Sequence, residues 1–160
     1  MSVSAAEVLT LRRILAPLHQ VAARRGVDLG WVPGRAAPFA GGTALCFAPG
    51  RAMVLGGRPD LPASAAAITD QSSGFAWLRL AGPAADDVMA RICRLDLAGS
   101  AFPPGAVART PIAQVAAILY RPATETLDLL VPATLAHSFD HALMMAGAPL
   151  GLARLPSESL

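Results

Sequence analysis

The residue pattern predicts an α+β domain: a ferredoxin-like β-α-β-β-α unit in the second half of the chain, preceded by an N-terminal helix. Three observations carry this expectation. Apolar residues recur at helical spacing near the start. Short strand-like runs sit between Gly- and Pro-rich turns in the middle. From Ala66 onward, strands and helices follow in the order named. At 160 residues the chain is read as a single domain, 1–160.

Ser4 and Glu7 have the spacing of a capping box. Val8, Leu11, Leu15, Leu18 and Ala22 then form one apolar stripe, which predicts a helical arm over 5–25, kinked near Ala16 by Pro17 and stopped at Gly26. From Gly30 to Pro62 glycine and proline punctuate the chain, leaving short strands at 43–47 and 51–55. Gly41-Gly42 is turn punctuation, because no G-x-G-x-x-G occurs and no helix follows. Strands are expected at 66–69 and 75–80, with Gln71-Ser72-Ser73-Gly74 turning between them. Gly82 suits a turn and Pro83 the first helical position. Asp86 and Asp87 fall in the first helical turn, where the helix dipole favours negative charge and where they disfavour binding of an anion. That helix places Ala85, Val88, Met89, Ile92 and Leu95 on one face. "GSAFPPG" is a turn, 107–120 an extended segment and 127–131 a strand. A second helix, 134–145, buries Leu135, Phe139, Ala142 and Leu143.

Hydrophobic residues make up 54% of the chain and charged residues 15%, against a usual charged share of about 25%. Such a chain either spans a membrane or buries surface against a partner. The longest charge-free run, 36–50, is interrupted by Pro38, Gly41-Gly42 and Pro49, whereas a spanning helix needs roughly 20 apolar residues. Arg12-Arg13 interrupt the first apolar run and no basic residue precedes it, which argues against a signal peptide. A cytoplasmic, partner-covered protein is expected. All 13 basic residues are arginine, and the chain has neither lysine nor asparagine. A phosphate-loop lysine, a Schiff-base lysine and an asparagine clamp are thereby excluded. The net charge of +2 and the scattered arginines do not describe a nucleic-acid binder. Cys46 and Cys93 match no metal or disulfide spacing and are expected to stay reduced and inert.

Candidate chemistry is sparse. His137 and His141 lie four apart on the second helix beside Asp140, a spacing that can bind metal, but the surroundings favour a solvated or interface face. Asp70, Ser72 and Ser73 lack the partners of a nucleophilic triad and read as turn chemistry. Asp96 is placed to bond backbone amides of the following turn. Arg79 and Arg109 interrupt apolar strands, so each reaches solvent or pairs across an interface. Phe75, Trp77, Arg79 and Phe102 are the interface candidates, since aromatic residues and arginine are enriched there. No catalytic, cofactor-binding or metal-ligating residue is assigned.

The stretch "ITDQSSGFAWLRLAGPAADDVMARICRLDLAGSAFPPGAVART" resembles the central block of the gamma subunit of heterotetrameric sarcosine oxidase. The matching residues are Asp70-Gln71-Ser72, Leu78 and Leu80 before Gly82-Pro83, Cys93 with Asp96-Leu97, and Phe102-Pro103-Pro104-Gly105 ending in Thr110. The strand 127–131 and the helix around Ser138 fit the closing block, so the resemblance covers 66–145 well and 8–56 loosely. The chain departs from the family in being short between Leu55 and Ile68, and "VPATLAHS" lacks the usual arginine and aromatic residue.

The gamma subunit is itself similar to the folate-binding domain of the glycine-cleavage aminomethyltransferase, in which a strand ends in an acidic pair, one member catalytic. Here "AAILYRPATE" carries Leu119, Tyr120 and Arg121 instead, and the asparagine expected after the next strand has no counterpart. The resemblance thus implies a folate-domain fold without its chemistry. It implies a non-catalytic subunit of a complex that demethylates sarcosine to glycine and passes the one-carbon unit to tetrahydrofolate. A large alpha flavoprotein subunit, with beta and delta subunits, would be the partners. FAD, FMN, NAD, tetrahydrofolate and zinc would reside on those other chains. Three alternatives stay open: the equivalent subunit of an N-methylglutamate dehydrogenase or other N-methyl amino-acid demethylase, a free-standing folate-dependent aminomethyltransferase-like enzyme, and a self-associating scaffold with no flavoprotein partner.

Overall fold

Alternation along the strand Phe75–Ala81 puts Ala76, Leu78 and Leu80 on one face and Trp77 and Arg79 on the other. Both faces are covered. A computed structural model, describing residues 8–160, places this strand inside a sheet that lies between two other layers. The strands are β1 (Thr10–Leu15), β2 (Leu18–Ala23), β3 (Ala36–Phe39), β4 (Gly42–Ala48), β5 (Arg51–Gly56), β6 (Ala66–Asp70), β7 (Phe75–Ala81), β8 (Val107–Ile112), β9 (Val115–Ala123), β10 (Thr126–Pro132), β11 (Ala153–Arg154) and β12 (Glu158–Ser159). The helices are α1 (Ala85–Ala90) and α2 (Ala136–Gly147). The central sheet runs β11-β1-β7-β10-β9-β8 with β12 beside β1, and the outer sheet runs β3-β4-β5-β2-β6.

Three cores absorb the apolar residues. Between helices and central sheet, Val88, Met89, Phe139 and Leu143 meet Leu11, Leu78, Leu80, Leu119, Leu127 and Leu129. Between the sheets, Ile14, Trp77, Ile118 and Leu130 meet Leu18, Leu45, Met53 and Leu55. Behind the outer sheet, Val21, Ala44, Ala52 and Val54 are covered by loop residues that include Leu29, Trp31 and Leu61. At about 25 cal/mol per Å² of apolar surface removed from water, such double coverage is the main favourable term. It also accounts for much of the apolar composition inside the chain itself.

The α+β class and the strands expected near 43–47, 51–55, 66–69, 75–80 and 127–131 agree with the structure. The order β1-β7-β10-β9 is the ferredoxin-like arrangement, with β1 supplying the strand that would otherwise follow α2. β8 extends the sheet beyond it.

Four expectations need correction. The helical arm over 5–25 is instead the strand pair β1 and β2. Leu11 enters the helix-side core and Ile14 the inter-sheet core, while Val8 and Leu15 are exposed, so the apparent stripe joins residues from opposite faces. Pro17 makes the corner between sheets, its carbonyl accepting from Gly56 at 2.8 Å. The Ser4–Glu7 pair lies outside the described residues. The segment 107–120 divides at Ala113-Gln114, both at positive φ (48° and 68°), into the hairpin β8–β9. Finally, α1 stops at Ala90, before Ile92 and Leu95, and Leu135 is exposed ahead of α2.

Gly82 fixes how the N-terminal strand enters the sheet. Its φ is +135°, and a Cβ there would stand 2.6 Å from the Val8 carbonyl oxygen and 2.9 Å from the Leu9 Cα. Gly82→Ala should therefore cost about 2–4 kcal/mol in urea denaturation. A loss below about 0.5 kcal/mol would show that this approach does not constrain the fold.

Candidate functional site

The inter-sheet face of the central sheet carries one charged row. Glu158, Arg12, Arg79, Asp128 and Tyr120 lie on neighbouring strands β12, β1, β7, β10 and β9. Arg12 donates to Glu158 at 2.7 Å. Arg79 grips Asp128 with two parallel bonds, Nε to Oδ1 at 2.8 Å and Nη2 to Oδ2 at 3.0 Å. Asp128 has no exposed surface, whereas Arg79 keeps 30% of its side chain exposed. The two partners report opposite influences. Burial pushes the Asp128 carboxyl above the usual range, and Arg79 offsets this only in part. Arg79 is itself raised, chiefly by its bonds to Asp128. The Trp77 indole N–H also favours the Asp128 charge, although no acceptor stands at hydrogen-bond distance from it.

Arg79, Asp128 and Tyr120 of this row floor a cleft of about 550 Å³ between the sheets, rimmed by Gly42, Gly57 and Arg58. Its titratable groups are poorly suited to proton transfer. Burial, then the nearby Asp128, raises the Tyr120 phenol and keeps it protonated. Asp128 is held by Arg79. Outside the cleft, desolvation raises the Cys46 thiol, whose Sγ donates to the Ala48 carbonyl.

Alternation along β9 separates Leu119, Tyr120 and Arg121. Tyr120 faces the cleft, whereas Leu119 and Arg121 face the helices. Arg121 is 2% exposed, and all three of its nitrogens donate hydrogen bonds. Nε donates to Phe102 O at 2.7 Å, Nη1 to Thr124 O at 2.9 Å, and Nη2 to Leu97 O and Asp86 Oδ1, both at 3.0 Å. The guanidinium also lies over the Phe102 ring. One side chain thereby ties α1, the loop after it and the β9–β10 hairpin together. Asp86, which the sequence assigned to the helix dipole alone, neutralises this buried charge.

The other candidates are structural in their contacts. Asp70 Oδ1 accepts from the Ser72 amide at 2.9 Å, and chiefly this bond lowers its carboxyl. Ser72 Oγ accepts from the Leu18 amide at 3.0 Å, fastening the crossover between sheets. Asp96 accepts from the Ala98 amide, as expected. His137 and His141 are exposed on α2, while Asp140 accepts from Arg154 at 2.9 Å. Among the described residues no three metal-capable side chains gather. Of the interface candidates, Trp77 and Phe102 fill the chain's own interior, whereas Phe75 and Arg79 are half-buried. Sequence reading missed Asp128; its signal is a lone acid within "TLDLLV", matched by the lone arginine of "FAWLRLA".

Two substitutions test these assignments. Arg121→Leu leaves the buried Phe102 and Leu97 carbonyls without donors, at about 1–3 kcal/mol each, so a total loss of about 3–5 kcal/mol is expected in urea denaturation. An unchanged midpoint would contradict the tie. Asp128→Asn tests the sign of the buried carboxyl. With its folded pKa raised, the stability it contributes is full below the unfolded pKa and is lost as pH rises through the folded value. The wild-type advantage over Asp128→Asn should shrink from about pH 4 upward. An advantage that grows with pH would mean that the ion pair outweighs burial.

No family model matches the chain, and no curated protein matches it. Solved structures do. A chain of heterotetrameric sarcosine oxidase from Corynebacterium sp. U-96, in complex with pyrrole 2-carboxylate, superposes with a TM-score of 0.78 at 22% identity, over 94% of this chain and 92% of that one. Glycine cleavage system aminomethyltransferase T from Bartonella henselae superposes with a TM-score of 0.63 at 14% identity, over 94% of this chain and 48% of that one. The present chain thus spans about half of the transferase. By fold, it is a structural neighbour of a heterotetrameric sarcosine oxidase chain and of an aminomethyltransferase.

Proposed function

We propose that the chain is the non-catalytic gamma-type subunit of a heterotetrameric sarcosine oxidase and stabilises that complex in the cytoplasm. The observation that carries this reading is the end-to-end match with a sarcosine oxidase chain, nearly complete for both partners. The arrangement of side chains supports it. Arg121, near the place the resemblance gives to the transferase acids, donates from all three nitrogens to structural partners, and Asp128, the buried carboxylate of the cleft, is held by Arg79. Sarcosine oxidation, with FAD, FMN, NAD, tetrahydrofolate and zinc, belongs in this reading to the alpha, beta and delta subunits. This chain supplies packing surface to the large alpha flavoprotein.

Co-expression with the large flavoprotein subunit of a sarcosine-oxidase-type complex from the same organism tests the proposal. Size-exclusion chromatography with light scattering should give a stoichiometric complex that survives dilution to about 1 μM. Separate elution of the two chains would overturn it. Turnover of sarcosine against N-methylglutamate by the assembled complex then decides the substrate.

A further inference from the structure

A second opening between the sheets, which shares no lining residue with the Arg79–Asp128 cleft, carries a different chemistry. Arg51 on β5 and Arg109 on β8 come from different sheets, yet both lay their guanidinium over the Phe47 ring, at 5.7 and 5.6 Å from its centroid. Both arginines are exposed, and neither forms an ion pair with a described residue. Beside them opens a cavity of about 260 Å³ with an apolar floor that includes Met53, Phe75 and Ile118. Two cations on one ring repel each other, and a carboxylate placed between them relieves that repulsion. Arginine over an aromatic ring beside a desolvated pocket is the usual composition of an interface anchor.

We infer that this opening docks a segment of the flavoprotein partner bearing an aspartate or glutamate next to an apolar side chain. The inference rests on the subunit reading above. Charge complementarity selects an acidic occupant. Size favours an inserted side chain, because small-molecule pockets usually measure about 300–1,000 Å³. The half-buried Phe75, an interface candidate from the sequence, lines this cavity.

The experiment measures binding of the large flavoprotein subunit to the full chain, at about 50 and about 500 mM salt. Arg51→Glu/Arg109→Glu should bind about 100-fold more weakly and lose most of the salt dependence. The milder Arg51→Gln/Arg109→Gln should lose about tenfold. Arg25→Glu/Arg91→Glu carries the same change in net charge at exposed positions elsewhere and should bind like wild type. Unchanged affinity in both variants of this opening, or an equal loss in the control, overturns the docking proposal while leaving the subunit reading intact. Failure of the wild type to bind overturns the subunit reading and this inference with it. Thermal stabilisation of wild type but not of Arg51→Glu/Arg109→Glu by benzoate, with partner affinity unchanged, overturns it in favour of a small carboxylate.

Discussion

The central sheet must be covered on both faces, and most of the molecule follows from that requirement. Leu78, Leu80, Leu127 and Leu129 point at the helices, while Trp77 and Leu130 on the same strands point at the second sheet. A strand buried twice has few positions for charge, so a chain built around such a sheet is poor in charged residues. The low charged fraction therefore has a source within the fold. It does not by itself require a membrane or a partner. Among the described residues, the large apolar side chains that are exposed, Val8, Leu15, Val32, Leu135, Met145 and Leu160, come from separate stretches of the chain.

Charge enters these cores only where it is answered. Among the described residues, Asp128 and Arg121 are the buried side chains of the charged types, one on each face of the central sheet. Arg79 meets the first with a two-bond fork, and Asp86 with three carbonyls meets the second. Removing one partner would leave a desolvated group uncompensated, which explains why such residues stabilise one arrangement over its alternatives. The same commitments bear on function. A carboxylate gripped by arginine, and a buried arginine bonded to three carbonyls and a carboxylate, are held in place by the fold.

Much of the fold was legible in the residues, and the failures have definite causes. Strands at 43–47, 51–55 and 75–80 are short apolar runs closed by Gly, Pro or Ser, and such signals are local. The N-terminal pair was illegible because a proline corner joins two short strands whose apolar residues mimic helical spacing. Leu11 and Leu18 serve different cores, which only tertiary pairing reveals. Turn chemistry at Asp70 and Asp96 was readable, since each carboxylate accepts from an amide two residues on. The Ser72 hydroxyl was not, because its partner Leu18 lies 54 residues away in the chain. The Arg79–Asp128 pair was not, because it depends on the register of β7 against β10, 49 residues apart in the chain. Arg121 looks like an ordinary hairpin arginine until the loop after α1 folds over it.

At the centre of this reading is a folate-domain fold whose inner polar groups are committed to structure. Calorimetric titration of the isolated chain with tetrahydrofolate tests that claim most directly. No binding is expected up to about 1 mM, a limit corresponding to about −4 kcal/mol. Saturable binding in the micromolar range would contradict it and would return a folate-dependent chemistry to this chain.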